Sequence, residues 1–347
     1  MEKVSIRGKK GFLFILPFLL ITLLCGFRWG FRLSKPEVIT SSYSWIRADI
    51  IGIDENYIVF KARFQHLGPA YLMLYSFRDK TIRKIKEEPV KSYHEDFYGE
   101  WIVYKVGKKV HLMNINTGRE TPLNLNGRPV QPRIWGERIV YRNHEDGTIH
   151  VYDFKKKEDK VVGKGFGPRI GEEWVVWMTT AGVFKAFHLP SEKSKNVTLG
   201  EISHVVSYDD YEMRKGILVA SVGKEGEEDI YACDLNQDKK ILISSLPDWE
   251  RYVATYGEYV VWMGPIKKEE FRPIPTQPLL SYNIYRNIYL YNLRRGKMKR
   301  IVHNDFELSD LRVGGGKVVW TSGRNKRPET ATQFNRNPLD IYIYSIR

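Results

Sequence analysis

The sequence predicts an all-β fold, a seven-bladed β-propeller behind an N-terminal transmembrane or signal helix. Three observations predict it. A short apolar motif recurs seven times, as "YIVF" 57–60, "WIVY" 101–104, "RIVY" 138–141, "WVVW" 174–177, "ILVA" 217–220, "YVVW" 259–262 and "KVVW" 317–320. Each copy is followed by a second apolar run, from "YLMLYSF" in the first to "IYIYSI" in the last. The seventh copy lacks the short segment that follows the others, while "PEVITSS", Pro36 to Ser42, is strand-like and belongs to no copy.

Taken in chain order, Lys3, Arg7, Lys9 and Lys10 form a basic tail, 1–10, ahead of the uncharged run 11–27. At about 1.5 Å per residue that run is at the lower limit for crossing a bilayer. It has no polar face, so it reads as a signal-anchor helix rather than a core helix. A signal peptide opens in the same way, but the chain after Leu24 has no small-residue cleavage pattern. Cleavage with secretion, and lipidation at Cys25, are the alternatives; bulky Leu24 argues against the second. Charges on both sides leave a slight positive-inside bias that puts the bulk of the chain outside the cytoplasm. The sequon Asn196-Val-Thr198 fits that side. Residues 28–36 are a linker.

From 37 to 347 the chain is repeats, with motif copies 36 to 58 residues apart. A tight turn precedes most copies, as in "FYGEW", "IWGER" and "TYGEY", and polar turn residues such as Asn116-Thr-Gly118 follow the second run. Each unit is thus four β-rich segments divided by turn chemistry. The motif is the second strand and the later apolar run the third. Four strands per roughly 40 residues is the period of a propeller blade. Third strands apolar on both alternating faces suit a blade packed between two neighbours. The spare segment 37–42 is expected to supply the outer strand of blade seven, closing the ring and covering its open edge.

This rhythm of turn, "IVY" motif and "IHVYDF"-type strand resembles the TolB-like and WD40-like propeller repeats, a group that includes the propellers of prolyl-oligopeptidase-type peptidases. The resemblance implies the fold over about 44–347 and no specific activity. The family's Ser-Pro-Asp-Gly turn is replaced here by "YGE" (98–100) and "WGE" (135–137).

Chemistry is sparse. The net charge of +14 divides into about +5 on residues 1–43 and +9 on the rest, an excess that favours anionic partners without indicating nucleic acid. Cys25 and Cys233 are no disulfide framework. The eight His residues show no metal-ligand spacing, and no hydrolase elbow, P-loop or dinucleotide fingerprint occurs, so neither metal nor cofactor is expected. The two "HED" triplets, His94–Asp96 and His144–Asp146, fall at different places in the repeat and read as coincidence. Trp101, Trp174, Trp177, Trp262 and Trp320 lie in the motif strand and read as core.

The irregular features are two long loops between second and third strands, 263–287 and 322–338. They belong to neighbouring blades. The first carries Lys267, Lys268, Arg272, Tyr282, Tyr285 and Arg286; the second carries Arg324, Lys326 and Arg327. Guanidinium groups among aromatics suit carboxylates, phosphates or an acidic protein face, and long loops on a rigid scaffold are where binding concentrates. The expectation is a non-catalytic, membrane-attached, extracytoplasmic module that binds an anionic ligand, such as a glycan, or a protein partner. The alternative is a lyase or hydrolase acting on anionic polysaccharide in the propeller channel.

Overall fold

In the computed structural model, described residues are 36–40, 47–65, 68–90, 93–199, 210–224, 227–246, 250–265, 285–306, 308–323 and 339–346. The basic tail, the run 11–27 and the linker up to Lys35 lie outside them. No helix among the described residues is long and apolar enough to cross a membrane.

The motif strands decide the architecture. Their central valines (Val59, Val103, Val140, Val176, Val219, Val261 and Val319) are all completely buried, and so is the residue before each. A strand buried on both alternating faces needs partners on two sides. Seven four-stranded antiparallel sheets provide them. Each is a meander in which the motif is the second strand. The innermost strands are Arg47–Ile53, Tyr93–Tyr98, Pro129–Trp135, Phe166–Gly171, Tyr211–Arg214, Arg251–Tyr256 and Ser309–Gly314. They neighbour one another in turn, and the last meets the first. Seven apolar clusters lie at the seven blade–blade junctions; one joins Ile58 and Phe60 of blade one to Val319 and Ile341 of blade seven.

Turn chemistry repeats with the blades. Between third and fourth strands a side-chain oxygen of Asn114, Asp153, Asp234 or Asn292 accepts from backbone N–H groups two or three residues on, at 2.7–3.1 Å. These are Asx turns, which set the hairpin locally. Between first and second strands Gly99, Gly136 and Gly257 take positive φ, where a side chain would be strained. Aromatic pairs staple second to third strands: Tyr104 stacks on His111, Tyr141 on His150, Trp262 on Tyr289 and Trp320 on Tyr342. Trp174, Trp177, Trp262 and Trp320 are buried, while Trp101 is partly exposed against Phe154.

The ring is closed by the spare segment. Glu37–Val38 pairs antiparallel with Leu339–Ser345, Glu37 opposite Ile343 and Val38 opposite Tyr342. Beyond this short strand Ile39 donates to the Ile341 carbonyl at 3.1 Å. The buried Thr40 hydroxyl donates to Asp340 at 3.0 Å and accepts from the Ile341 N–H at 2.8 Å. The strand proper is shorter than 37–42, and 41–42 lie outside the described residues.

A charged cavity on the propeller axis

In a meander the turns between strands one and two share a face with those between three and four. The connections between strands two and three, and from blade to blade, share the other. The strand ends that the two long loops join, in Tyr259–Gly264 and Tyr285–Asn292 and in Lys317–Gly323 and Leu339–Ser345, therefore open on the second face. Lys267, Lys268, Arg272, Tyr282, Arg324, Lys326 and Arg327 lie outside the described residues, and Tyr285 is described only as the first residue of a third strand. Arg286 is different from what its loop assignment suggested: it sits in that strand, opposite Asp305, and is buried.

The described structure gathers its charge elsewhere, on the axis. Five innermost strands share a β-bulge, with a residue at φ between 49° and 57° just inside it: His94, Gln131, Gly167, Tyr252 and Asp310. Such bulges bend a strand and re-aim its next side chains. The residue that resumes pairing with the central motif valine is Asp96, Arg133, Arg169, Ala254 or Arg312. Gly52 and Glu212 hold the same register in the remaining blades. One tier of the axis thus reads, in blade order, Gly52, Asp96, Arg133, Arg169, Glu212, Ala254, Arg312. All but Arg169 line a cavity of about 70 Å³, with Tyr98, Trp135, Arg214 and Tyr256 toward the one–two turns.

The carboxylates in this cavity are committed. Asp96 of blade two accepts from Arg214 Nη2 of blade five at 2.8 Å and from the Ile134 N–H at 2.9 Å. Arg214 also donates to the Ile134 carbonyl at 3.2 Å, so it ties opposite sides of the ring. Its guanidinium lies 5.5 Å from the centre of the Trp135 ring, which contacts Tyr98. Glu212 accepts from the Met213 N–H at 2.9 Å and faces Arg169 at 3.7 Å and Arg214 at 4.0 Å. Burial alone would raise its pKa, but Arg169, Arg214 and Arg133 outweigh burial and hold it below the usual carboxylate range. Glu95 pairs with Lys61 at 2.8 Å, and Asp54 caps the Asn56 and Tyr57 N–H groups.

Two cations are left over. Arg133 Nη1 donates to the Pro132 carbonyl at 3.1 Å and Arg312 Nη1 to the Leu311 carbonyl at 2.8 Å. Among the described residues neither guanidinium has a carboxylate at salt-bridge distance. Burial first, then Arg169, lower the pKa of Arg133, with Asp96 and Glu212 opposing and Arg312 adding to the fall. No His occurs among the described residues lining the cavity, and burial pushes the Tyr98 hydroxyl up. No group of three or more His, Cys, Asp or Glu suited to a metal occurs among the described residues.

The sequence reading missed this tier. Its signal was present as "PRI" at 132–134 and again at 168–170, with "LRV" at 311–313: an arginine fixed just before an apolar residue and a turn. The first "HED" triplet, passed over as coincidence, supplies Glu95 and Asp96.

No family model matches the chain, and no curated protein matches it. Solved structures do. The WD40 repeats of RRP9 align over 90% of this chain and 98% of theirs, at 10% identity and a TM-score of 0.54. The tricorn protease aligns over 80% of this chain, at 10% identity and a TM-score of 0.52; the chain spans 32% of that protein's length. A putative TolB from Agrobacterium tumefaciens aligns over 80% of this chain and 99% of its own, at 8% identity and a TM-score of 0.47. The fold is a seven-bladed propeller similar to that of WD40 repeats. No subfamily is assigned by these likenesses, and at such identities they speak to fold alone.

Proposed function

We propose that the chain is a non-catalytic binding propeller, held at a membrane by the run 11–27 with its blades outside the cytoplasm. Its loops 263–287 and 322–338 meet an anionic ligand or an acidic protein partner. The observation that carries the non-catalytic reading is the axis, where an enzyme on this scaffold would assemble its groups. General acid–base work needs a group that can gain and lose a proton near the working pH. In the lining Glu212 is held below the usual carboxylate range, the Tyr98 hydroxyl is pushed up and Arg214 is held charged by Asp96 and Glu212. Asp54, raised by burial, is tied to two backbone N–H groups, and Asp310, raised to about 6, is outside the lining. Convergence of arginines and carboxylates on one cavity is what a polysaccharide lyase or hydrolase would share, but here those carboxylates are tied to cations or backbone N–H groups.

The loop reading rests on composition and register. Its test is a polyanion titration at two salt concentrations, since exposed charges are screened beyond about 10 Å at 0.1 M. Replacing Arg272, Arg324 and Arg327 by Ser should abolish binding; buried Arg286 is left intact because its loss would confound folding with binding. The matched control removes Lys155, Lys156 and Lys160, in or beside the exposed three–four turn of blade three. Equal loss in both variants would reduce the effect to overall charge and end the loop reading.

A further inference from the structure

We infer that the axial cavity is a second binding site, for a compact oxyanion, a carboxylate or phosphate group held between Arg133 and Arg312. The inference is independent of the loops, because the cavity is lined by innermost-strand and one–two-turn residues and by none of the loop residues singled out in the sequence.

The argument is an accounting of charge partners. Every carboxylate lining the cavity has its own donors: Asp96 has Arg214 and the Ile134 N–H, Glu95 has Lys61, Asp54 has two backbone N–H groups, and Glu212 has the Met213 N–H with Arg169 nearby. Arg133 and Arg312 each spend one N–H on the carbonyl of the preceding residue. A guanidinium carries five N–H donors in a planar fork that matches an oxyanion two bonds at a time. Both side chains are only partly exposed, so their remaining donors have limited access to bulk water. Around Arg133 the like charges of Arg169 and Arg312 are set against the carboxylates of Asp96 and Glu212, neither of which reaches it at salt-bridge distance. An anion placed between Arg133 and Arg312 supplies the direct oxygen partners that these carboxylates do not.

The shape agrees. Arg312 of blade seven stands between Gly52 of blade one and Ala254 of blade six, the two smallest members of the tier. The space those side chains leave lies beside Arg312, and Arg133 in blade three is three blades round the ring. A cavity of about 70 Å³ holds several waters or one small ion. Tyr98, Trp135 and Tyr256 line the same cavity and restrict what can be attached to the anion.

The test uses the full-length chain and two probes, inorganic phosphate and succinate, against chloride at equal ionic strength. Either probe should raise the melting temperature beyond chloride, and the one that does identifies the phosphate or carboxylate chemistry. Arg312→Met and Arg133→Met should each weaken the response at least tenfold in apparent affinity. Because Arg312 has no carboxylate at salt-bridge distance among the described residues, Arg312→Met should fold with a melting temperature near wild type in chloride. As a measurement that needs no arginine variant, the anion should change tryptophan fluorescence in the wild type and lose that change in Trp135→Phe. The Arg272, Arg324, Arg327 loop variant should keep the whole response, which separates this site from the loop proposal. No shift with either probe in the wild type would overturn the inference, as would an undiminished response in both methionine variants.

Discussion

Asp96 and Arg214 show what a single pair can do when it reaches across the axis. Both are largely withdrawn from solvent, with side-chain exposures of 7% and 15%. Removing one partner leaves the other charged and unsatisfied, which typically costs about 3–5 kcal/mol for a buried pair and less for one that still touches channel water. Arg214→Met should therefore lower stability by about 2–4 kcal/mol in denaturant unfolding, and Asp96→Asn added to it should recover a good part. Simple additivity of the two losses would show that they do not act together. Asp310 makes the opposite case. Burial, and then the charge of Asp49, push its carboxyl up to about 6 against the opposing pull of Arg312 and Arg47. The folded protein thus holds this proton more tightly than the unfolded chain, whose carboxyl titrates near 3.8. Its contribution to stability is complete below about pH 4 and is lost as pH rises through 6. Asp310→Asn should then match wild type at pH 4 and melt higher at pH 7.5. Asparagine tolerates the φ of 49° at this position, so the comparison isolates charge. A melting-temperature difference that does not change with pH would refute the assignment.

At the level of strands, the seam between Glu37–Val38 and Leu339–Ser345 is the element whose loss should be most legible. Deleting residues 1–43 should lower the melting temperature clearly, whereas deleting 1–34 should not, because the latter leaves the closing segment in place. Thr40→Val is the finer probe. It strips Asp340 and the Ile341 N–H of a buried partner, and such losses cost about 1–3 kcal/mol. Equal melting temperatures for the two truncations would discard the seam as a stabilising feature. The sequence made this element readable because "PEVITSS" had β character and no blade of its own. The second and third strands were readable too, since burial on both faces leaves long apolar runs such as "WVVWM" and "IYIYS". Innermost strands were not. "HEDFY", "QPRIW" and "YEMR" carry charges that, met in a sequence, look like solvent-facing turns. They face a narrow axis in which one blade's charge is answered by another blade's, 118 residues away for Asp96 and Arg214. No local window contains both halves of such a pair. At the edge of the first long loop one residue was misplaced: Arg286, counted among its basic residues, belongs to a strand and is buried.

For the molecule as a whole, attachment is open to direct measurement. If the run 11–27 is retained as an anchor, the protein should stay with membranes through a high-salt wash and keep its original N-terminus by mass spectrometry. A start near Gly26 would defeat that proposal, and a diacylglycerol on Cys25 would replace it with a lipoprotein. Closure has a further consequence, one of timing. Thr40 is bonded to Asp340, 300 residues later. At a synthesis rate of about 5–20 residues per second, the first strand emerges on the order of 15–60 s before its partner exists. Through that interval blade seven is absent, blade one has a bare flank of Ile58, Phe60 and Met73, and the nascent chain can bury neither. Leu339–Ser345 then completes blade seven and covers that flank of blade one in a single step. A cell making this protein should feel loss of Leu339–Ser345 as aggregation during translation, and chaperone demand should peak just before that strand emerges.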